Sequence, residues 1–337
     1  MNAKRLKIAV IQTAFPGDVI LSTPIFTALV DKYRNCKITA VVRPESEILL
    51  RHNPNIENII VYDKYGKDKG ILGIYRLAKE LKGNDQAIII QRHLRSALIT
   101  FFAGIKSRIG YDRASGRSLY TMAIPYSSEK HEVDRVLDLI AVQNGGKRYK
   151  PHIAIDRKTV SEVDDKLKLL IGDTEFAVLC PGSVWPTKRY PHFDKLAILI
   201  NDEFEIPILF IGGKDDHEII EELTAKLDFS INNLAGKTDF LESAEIISRA
   251  KFVITNDSAP AHIASAVGSP VIAVFGPTTE DFGFGPYSES SQIVDIGGLY
   301  CRPCSTHGSN QCPETHLRCM NDIKPETIID AVNSLIL

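Results

Sequence analysis

The stretch TNDSAPAHIASAVGSP, residues 255–270, gathers an aspartate, a serine, a proline and a histidine at one point and then runs on in small side chains. Asp257 and Ser258 suit a helix cap, Pro260 suits a first turn whose N–H groups lack intrahelical partners, and His262 falls one turn beyond Ser258 on the same face. A helix start of this kind offers backbone donors and the positive end of the helix dipole to an anion such as phosphate. His262 read alone is a packing residue as readily as a ligand.

Three other short stretches carry candidate chemistry. In PGSVWPTKRYP (181–191), which holds Trp185, the only tryptophan, Lys188 and Arg189 sit in a loop stiffened by prolines. They could meet a phosphate as a point charge or through a fork of donors, or simply lie on a solvated surface. In IGGKDDHE (211–218) two glycines permit close backbone approach, and Asp215 or Asp216 could accept a sugar hydroxyl or cap a helix. In AFPGDVILSTP (14–24) Asp18 reads either as an N-cap or as a base at the edge of a cleft. Neither G-x-G-x-x-G nor the P-loop pattern stands at that junction, which weighs against a dinucleotide-dependent dehydrogenase.

The elements that must position these residues alternate. Apolar runs LKIAVIQT (6–13), ITAVV (38–42), NIIVYD (58–63) and QAIIIQ (86–91) are interleaved with helical-period segments 18–33 and 70–83. A helix over 131–146 closes this half. EFAVLCPG (175–182), IPILFIGG (206–213), INNLAG (231–236), KFVIT (251–255) and PVIAVFG (270–276) repeat the scheme with helices at 192–204, 215–227 and 239–250. Such alternation predicts βαβ units and parallel sheets. The fold class is therefore α/β, with two Rossmann-like doubly wound domains, 1–150 and 151–337, facing across a cleft, and with a terminal helix that could pack back on the first. Each functional stretch then falls at the carboxyl end of a strand, the edge where open α/β sheets bind ligands.

At 337 residues with 44% hydrophobic and 24% charged residues, the composition is that of a globular protein with two cores. A net charge of −2 gives no global pull toward nucleic acid. The apolar stretch near the amino terminus is too short for a signal peptide, and SALITFFAGI (96–105) is too short to span a bilayer, so a cytoplasmic protein without a transmembrane segment is expected. Cys301, Cys304, Cys312 and Cys319, spaced C-x2-C-x7-C-x6-C, are compatible with a structural zinc site, a redox role or reduced thiols packed in a loop.

Taken in order along nearly the whole chain, FPGDVILSTP, PGSVWPTKRYP, TNDSAPAHIASAVGSPVIAVFGPT and CRPC…CPETHLRCM resemble the ADP-heptose:lipopolysaccharide heptosyltransferases of glycosyltransferase family 9, in particular the type that adds the second inner-core heptose. The resemblance implies the GT-B architecture and a metal-independent, inverting transfer from ADP-heptose with no cofactor. It implies that Asp18 is the general base and that the carboxyl-terminal domain binds the donor through Lys188 and the D-[ST]-x-x-x-H segment Asp257, Ser258, Ala259 and His262. Ser183 and Asp215 fall in equivalent loops.

An acceptor carrying Kdo carboxylates and lipid A phosphates, met at the cytoplasmic face of the inner membrane, is implied as well. Residues 92–117 hold six basic residues against Asp112 alone; Arg92, Arg95 and Arg113 are the candidate acceptor contacts. The implied location is the cytoplasm, with a peripheral place on that membrane face. Rival readings are another family 9 transferase, a nucleotide-sugar epimerase of similar fold, and a non-catalytic nucleotide- or sugar-binding protein.

Overall fold

The structure is a computed structural model that describes residues 5–141 and 147–336. The chain divides into two compact units, Met1–Ala154 and Ile155–Leu337. Part of the helix expected over 131–146 lies outside the described residues; within them Glu132–Asp138 is helical.

The first unit holds six strands, β1 (Leu6–Ile11), β2 (Cys36–Val42), β3 (Asn58–Val61), β4 (Gln86–Ile89), β5 (Ser107–Tyr111) and β6 (Met122–Ile124). The second holds β7 (Ala177–Cys180), β8 (Ile208–Phe210), β9 (Asn232–Asn233), β10 (Phe252–Asn256), β11 (Val271–Phe275) and β12 (Ser291–Asp295). Both sheets are parallel throughout. The orders β3-β2-β1-β4-β5-β6 and β12-β11-β10-β7-β8-β9 are the same topology used twice. In each, the winding reverses between two central strands, β1 and β4 or β7 and β10, and a crevice opens beyond their carboxyl ends.

Parallel strands covered on both faces need continuous apolar sequence. β7, β10 and β11 are buried at every position, as the runs AVLC, FVITN and VIAVF require. Helix Phe193–Phe204 and the terminal helix Pro325–Ile336 pack against each other in the second unit. Ile328, Ile329, Ala331 and Val332 of the terminal helix enter that unit's core with Phe210 and Phe252. Its apolar face is buried there, in its own unit.

Residues 18–33 form two helices, Pro16–Ser22 and Pro24–Lys32. Pro24 has no N–H to continue the first, and the Thr23 hydroxyl turns back to donate to the Ile20 carbonyl at 2.7 Å. The short strands β5, β6 and β12 and the helix Arg157–Ile171, which buries only Val163 and Leu167, carry little apolar pattern to read. Among the described residues no helix is long and apolar enough to cross a membrane.

Candidate functional site

In the second unit the carboxyl ends of β7 and β10 lie side by side, with Cys180 paired to Thr255. Asn256, fully buried at the end of β10, ties down the loop beyond β7: its side-chain amide donates to the Pro181 carbonyl at 2.7 Å and its oxygen accepts from the Tyr190 N–H at 3.0 Å. That loop carries Ser183, whose hydroxyl accepts from the Trp185 N–H, and the single-turn helix Pro186–Lys188. Lys188 is thereby brought against Asp257. Its Nζ lies 2.5 Å from Asp257 Oδ2 and 3.3 Å from the Asp257 carbonyl, and the same Oδ2 accepts from the Thr278 hydroxyl at 2.7 Å. An ammonium has three N–H groups, and two are directed at Asp257, which leaves one for a ligand oxygen.

The helix Ala259–Val267 begins beside this cation. Its N-cap is Ser258 in an extended conformation, with Pro260 in the first turn and no side-chain cap. Ser258 Oγ points instead toward the Gly182 and Asn256 carbonyls at 3.4 Å, and Asp257 is occupied by Lys188 and Thr278. The sequence expectation that Asp257 and Ser258 cap through their side chains is therefore corrected. Pro260 has no N–H and the Ala261 N–H donates to the Ser258 carbonyl at 3.1 Å, so the backbone donors an anion would meet here are those of Ser258 and Ala259, at the same helix start as Lys188, with His262 buried one turn on.

Of the two aspartates after β8, Asp216 and not Asp215 faces this loop. Asp216 Oδ2 accepts from the Gly213 N–H at 2.8 Å, and its carboxylate lies where a side chain on Gly182 would stand, 2.3 Å from that Cβ. Asp215 is exposed. The cysteine-bearing segment reaches the same loop: the Thr187 N–H and hydroxyl both donate to the Ser309 carbonyl, and the Ser309 N–H donates to the Thr187 hydroxyl. Cys301, Cys304, Cys312 and Cys319 are free thiols, and among the described residues no group of His, Cys, Asp or Glu is arranged to hold a metal. Burial, followed by the neighbouring Cys304, Cys312 and Cys301, pushes the Cys319 thiol up to about 11, so it stays protonated at neutral pH.

In the first unit Asp18 is half-buried in the first turn of Pro16–Ser22. The N-cap is Phe15, with no side-chain cap, so Asp18 stands three positions inside the helix and is not its N-cap. The Gln91 amide donates to Gln12 Oε1 at 2.8 Å, and the Gln12 amide to the Asp18 carbonyl at 3.3 Å, which fixes this turn to the ends of β1 and β4.

Two groups of cations gather in the same unit. In one, the guanidiniums of Arg92, Arg135 and Arg113 lie 4.5, 5.2 and 5.9 Å from the centre of the Tyr126 ring, and Tyr111 meets that ring edge-on. Arg135 is buried and donates to Glu132 Oε2 at 2.7 Å and to the Lys130 carbonyl at 2.6 Å. Burial raises the Glu132 carboxyl above its ordinary range, Arg135 opposes that, and the charges of Asp18 and Arg92 reach the same group. In the other, Arg95 donates to the Lys64 carbonyl, Lys64 Nζ donates to the Thr13 carbonyl at 2.8 Å, and Arg43 lies between the Phe15 and Tyr65 rings. Burial lowers the Lys64 ammonium first, and Arg43 and Arg95 lower it further.

The expected acceptor arginines are thus divided: Arg92 and Arg113 share Tyr126, while Arg95 joins Lys64. Sequence reasoning left Asp215 and Asp216 as equal alternatives and missed Asn256, Thr278, Tyr126, Lys64 and the Glu132–Arg135 pair. Only the last left a signal, a carboxylate and a guanidinium three residues apart in HEVDR, one face of a helix.

Two domains of one Rossmann-like topology, an anion-ready helix start in the second and a carboxylate among cations in the first, make up a GT-B glycosyltransferase. Residues 74–315 match the profile of glycosyltransferase family 9 (heptosyltransferase), and the chain belongs to that family. It is similar to lipooligosaccharide heptosyltransferase 2 of Haemophilus influenzae, with 29% identity over 98% of this chain and 99% of that one. Among solved structures it is similar to a family 9 glycosyltransferase of Veillonella parvula, with TM-score 0.89 and 23% identity over 100% and 98% of the two chains. It is also similar to Escherichia coli ADP-heptose LPS heptosyltransferase II, with TM-score 0.80 and 24% identity over 98% of each.

The buried Glu132–Arg135 pair gives a stability test. Arg135→Met leaves the Glu132 carboxyl in an apolar setting without its counter-charge, and should cost about 3–5 kcal/mol in urea denaturation. Glu132→Leu combined with Arg135→Met should recover most of that loss. Equal stability of single variant and parent would remove the pair from any supporting role.

Proposed function

We propose that this chain transfers L-glycero-D-manno-heptose from ADP-L-glycero-β-D-manno-heptose to the first heptose of the lipopolysaccharide inner core, in the cytoplasm and peripherally at the inner face of the inner membrane, with no metal and no cofactor. The observation that carries the reading is the cation Lys188, held by Asp257 at an uncapped helix start. Full-length similarity to heptosyltransferase 2 sequences supports the choice of sugar and acceptor.

Asp18 takes the proton from an acceptor hydroxyl as its oxygen attacks the anomeric carbon on the face opposite ADP. The new glycosidic bond forms as the bond to the ADP oxygen breaks, and the β-linked donor gives an α-linked product. Negative charge grows on the departing diphosphate, where the third N–H of Lys188 and the first-turn N–H groups around Ser258 and Ala259 receive it. His262 and Ser183 complete the donor side, and Arg92, Arg95 and Arg113 hold the carboxylates and phosphates of the lipid A–Kdo acceptor.

Purified protein given ADP-heptose and truncated acceptors with none, one or two heptoses should elongate only the one-heptose acceptor, read by mass spectrometry. Transfer to the heptose-free acceptor would make it the enzyme of the preceding step, and an acceptor-independent change of a UDP-sugar would make it an epimerase.

Asp18→Asn preserves shape but cannot accept a proton, so kcat should fall by about 10²–10⁴ at saturating substrates while the ADP dissociation constant stays put. Turnover within a few-fold of the parent would leave the reaction without its base. Lys188→Ala removes a charge-assisted contact worth about 1.5–3 kcal/mol, so calorimetry should find ADP bound roughly ten- to a hundredfold more weakly. Unchanged ADP affinity would move the diphosphate elsewhere.

A further inference from the structure

Thirteen large apolar side chains are exposed among the described residues, and nine of them belong to the first unit. The four in the second unit, Leu169, Val184, Ile198 and Tyr300, stand on separate elements, whereas five in the first crowd two helices that pack together, Gly70–Glu80 and Leu94–Phe102. On the first of these Ile71, Leu72 and Tyr75 are 63, 80 and 50% exposed; on the second Phe101 and Phe102 are 48 and 43% exposed. They are continuous: the Tyr75 and Phe102 rings are 4.9 Å apart, and Phe102 lies 5.8 Å from Phe101. The core does not require them. Gly73, Ile74, Leu77 and Ala78 already form the inward face of one helix, and Ala97, Ile99 and Thr100 that of the other.

The border of this patch is cationic. Lys67 and Lys69 are exposed at the entry to the first helix, and Lys106 is exposed just past the second. The Arg108 guanidinium covers the Phe101 ring at 5.6 Å, held by the Leu119 carbonyl at 2.7 Å. The nearby acids are engaged: Asp68 and Glu80 pair with Arg76, and Asp63 accepts from the Gly66 and Lys67 N–H groups.

We propose that this surface of the first unit docks on an anionic phospholipid bilayer, with Leu72, Ile71 and the aromatic rings entering the interface and the lysines and Arg108 meeting phosphate headgroups. Aliphatic and aromatic side chains ringed by Lys and Arg match the layered chemistry of that interface, and each basic residue near it adds to the attraction. A second copy of this chain fits less well. A two-fold interface sets a patch against itself, so the cationic border would face its own like charges. The inference rests on the proposed lipid-borne acceptor, which it supplies with a route: the chain meets its substrate in the plane of the membrane.

The experiment uses the full chain and sucrose-loaded vesicles that contain no saccharide, so that its result is independent of whether heptose is transferred. The parent should sediment with phosphatidylglycerol vesicles and far less with phosphatidylcholine vesicles, and added salt should weaken the binding. Leu72→Asp and Phe102→Asp should each lower the bound fraction about tenfold without changing the melting temperature, since surface positions outside the core move stability little. Both variants should keep the parent rate on a deacylated, water-soluble acceptor and lose rate on a vesicle-borne one. A parent that stays in the supernatant with phosphatidylglycerol, variants that sediment like the parent, or a parent dimer dissolved by Leu72→Asp in analytical ultracentrifugation would each overturn the assignment.

Discussion

The reversal of winding between β1 and β4, repeated between β7 and β10, is the constraint on which the rest depends. Helices leave neighbouring strands toward opposite faces there, and the carboxyl ends are left uncovered. Every candidate reacting or ligand-binding group descends from one of those four strand ends or from a loop folded against them. Asp18 follows β1, and Arg92 and Arg95 follow β4. Ser183 and Lys188 follow β7, and Asp257 and Ser258 follow β10. The buried amide of Asn256 then couples two of these ends, because it satisfies both the Pro181 carbonyl and the Tyr190 N–H. Removing it would leave buried backbone groups without partners, which is costly in a dry interior.

The two units use the shared topology with opposite electrostatics. In the second, the cation is internally neutralised: Lys188 has Asp257, and Asp257 has Thr278. A ligand there completes an existing pair and gains from backbone dipoles. In the first, Arg92, Arg95, Arg113 and Lys64 are steadied mainly by aromatic rings and carbonyls, and the carboxylates of Glu132 and Glu45 act on Arg92 and Lys64 through space. Burial, and then the neighbouring Arg43 and Arg95, lowers the Lys64 ammonium. Several cations gathered on one side are relieved by an anionic ligand, which is the character of the proposed acceptor.

Much of this was legible because parallel, doubly covered strands force apolar runs, and runs such as VIAVF and AVLC admit few other readings. The strand ends, and with them Asp18, Lys188 and Asp257, follow from that pattern. Tyr126, Thr278 and Lys64 were illegible for a physical reason: each acts through a partner distant in sequence, and a tyrosine that gathers three arginines looks, in PYSSEK, like any loop tyrosine. The choice between Asp215 and Asp216 turned on a loop conformation that no spacing rule specifies; only the close approach of Gly182 settles which carboxylate faces inward. β6, three residues long and on an edge, has no periodicity to detect.

The helix starts carry the sharpest distinction between stability and function. Where the sequence offers a cap, some helices use it: Asp239, beyond the edge strand β9, accepts from the Leu241 and Glu242 N–H groups, and Glu242 returns the bond in a full capping box. At the switch point beyond β10 it places two residues of equal capping ability, Asp257 and Ser258, and turns both elsewhere. A side-chain cap is worth about 1 kcal/mol, so forgoing it costs stability unless something else fills the positive end of the helix. Asp257 fixes a lysine there instead, and the open N–H groups remain beside it. What sets this helix end apart is the lysine that Asp257 holds beside it, and in the proposed reaction the leaving diphosphate of a nucleotide sugar has the charge to occupy that place.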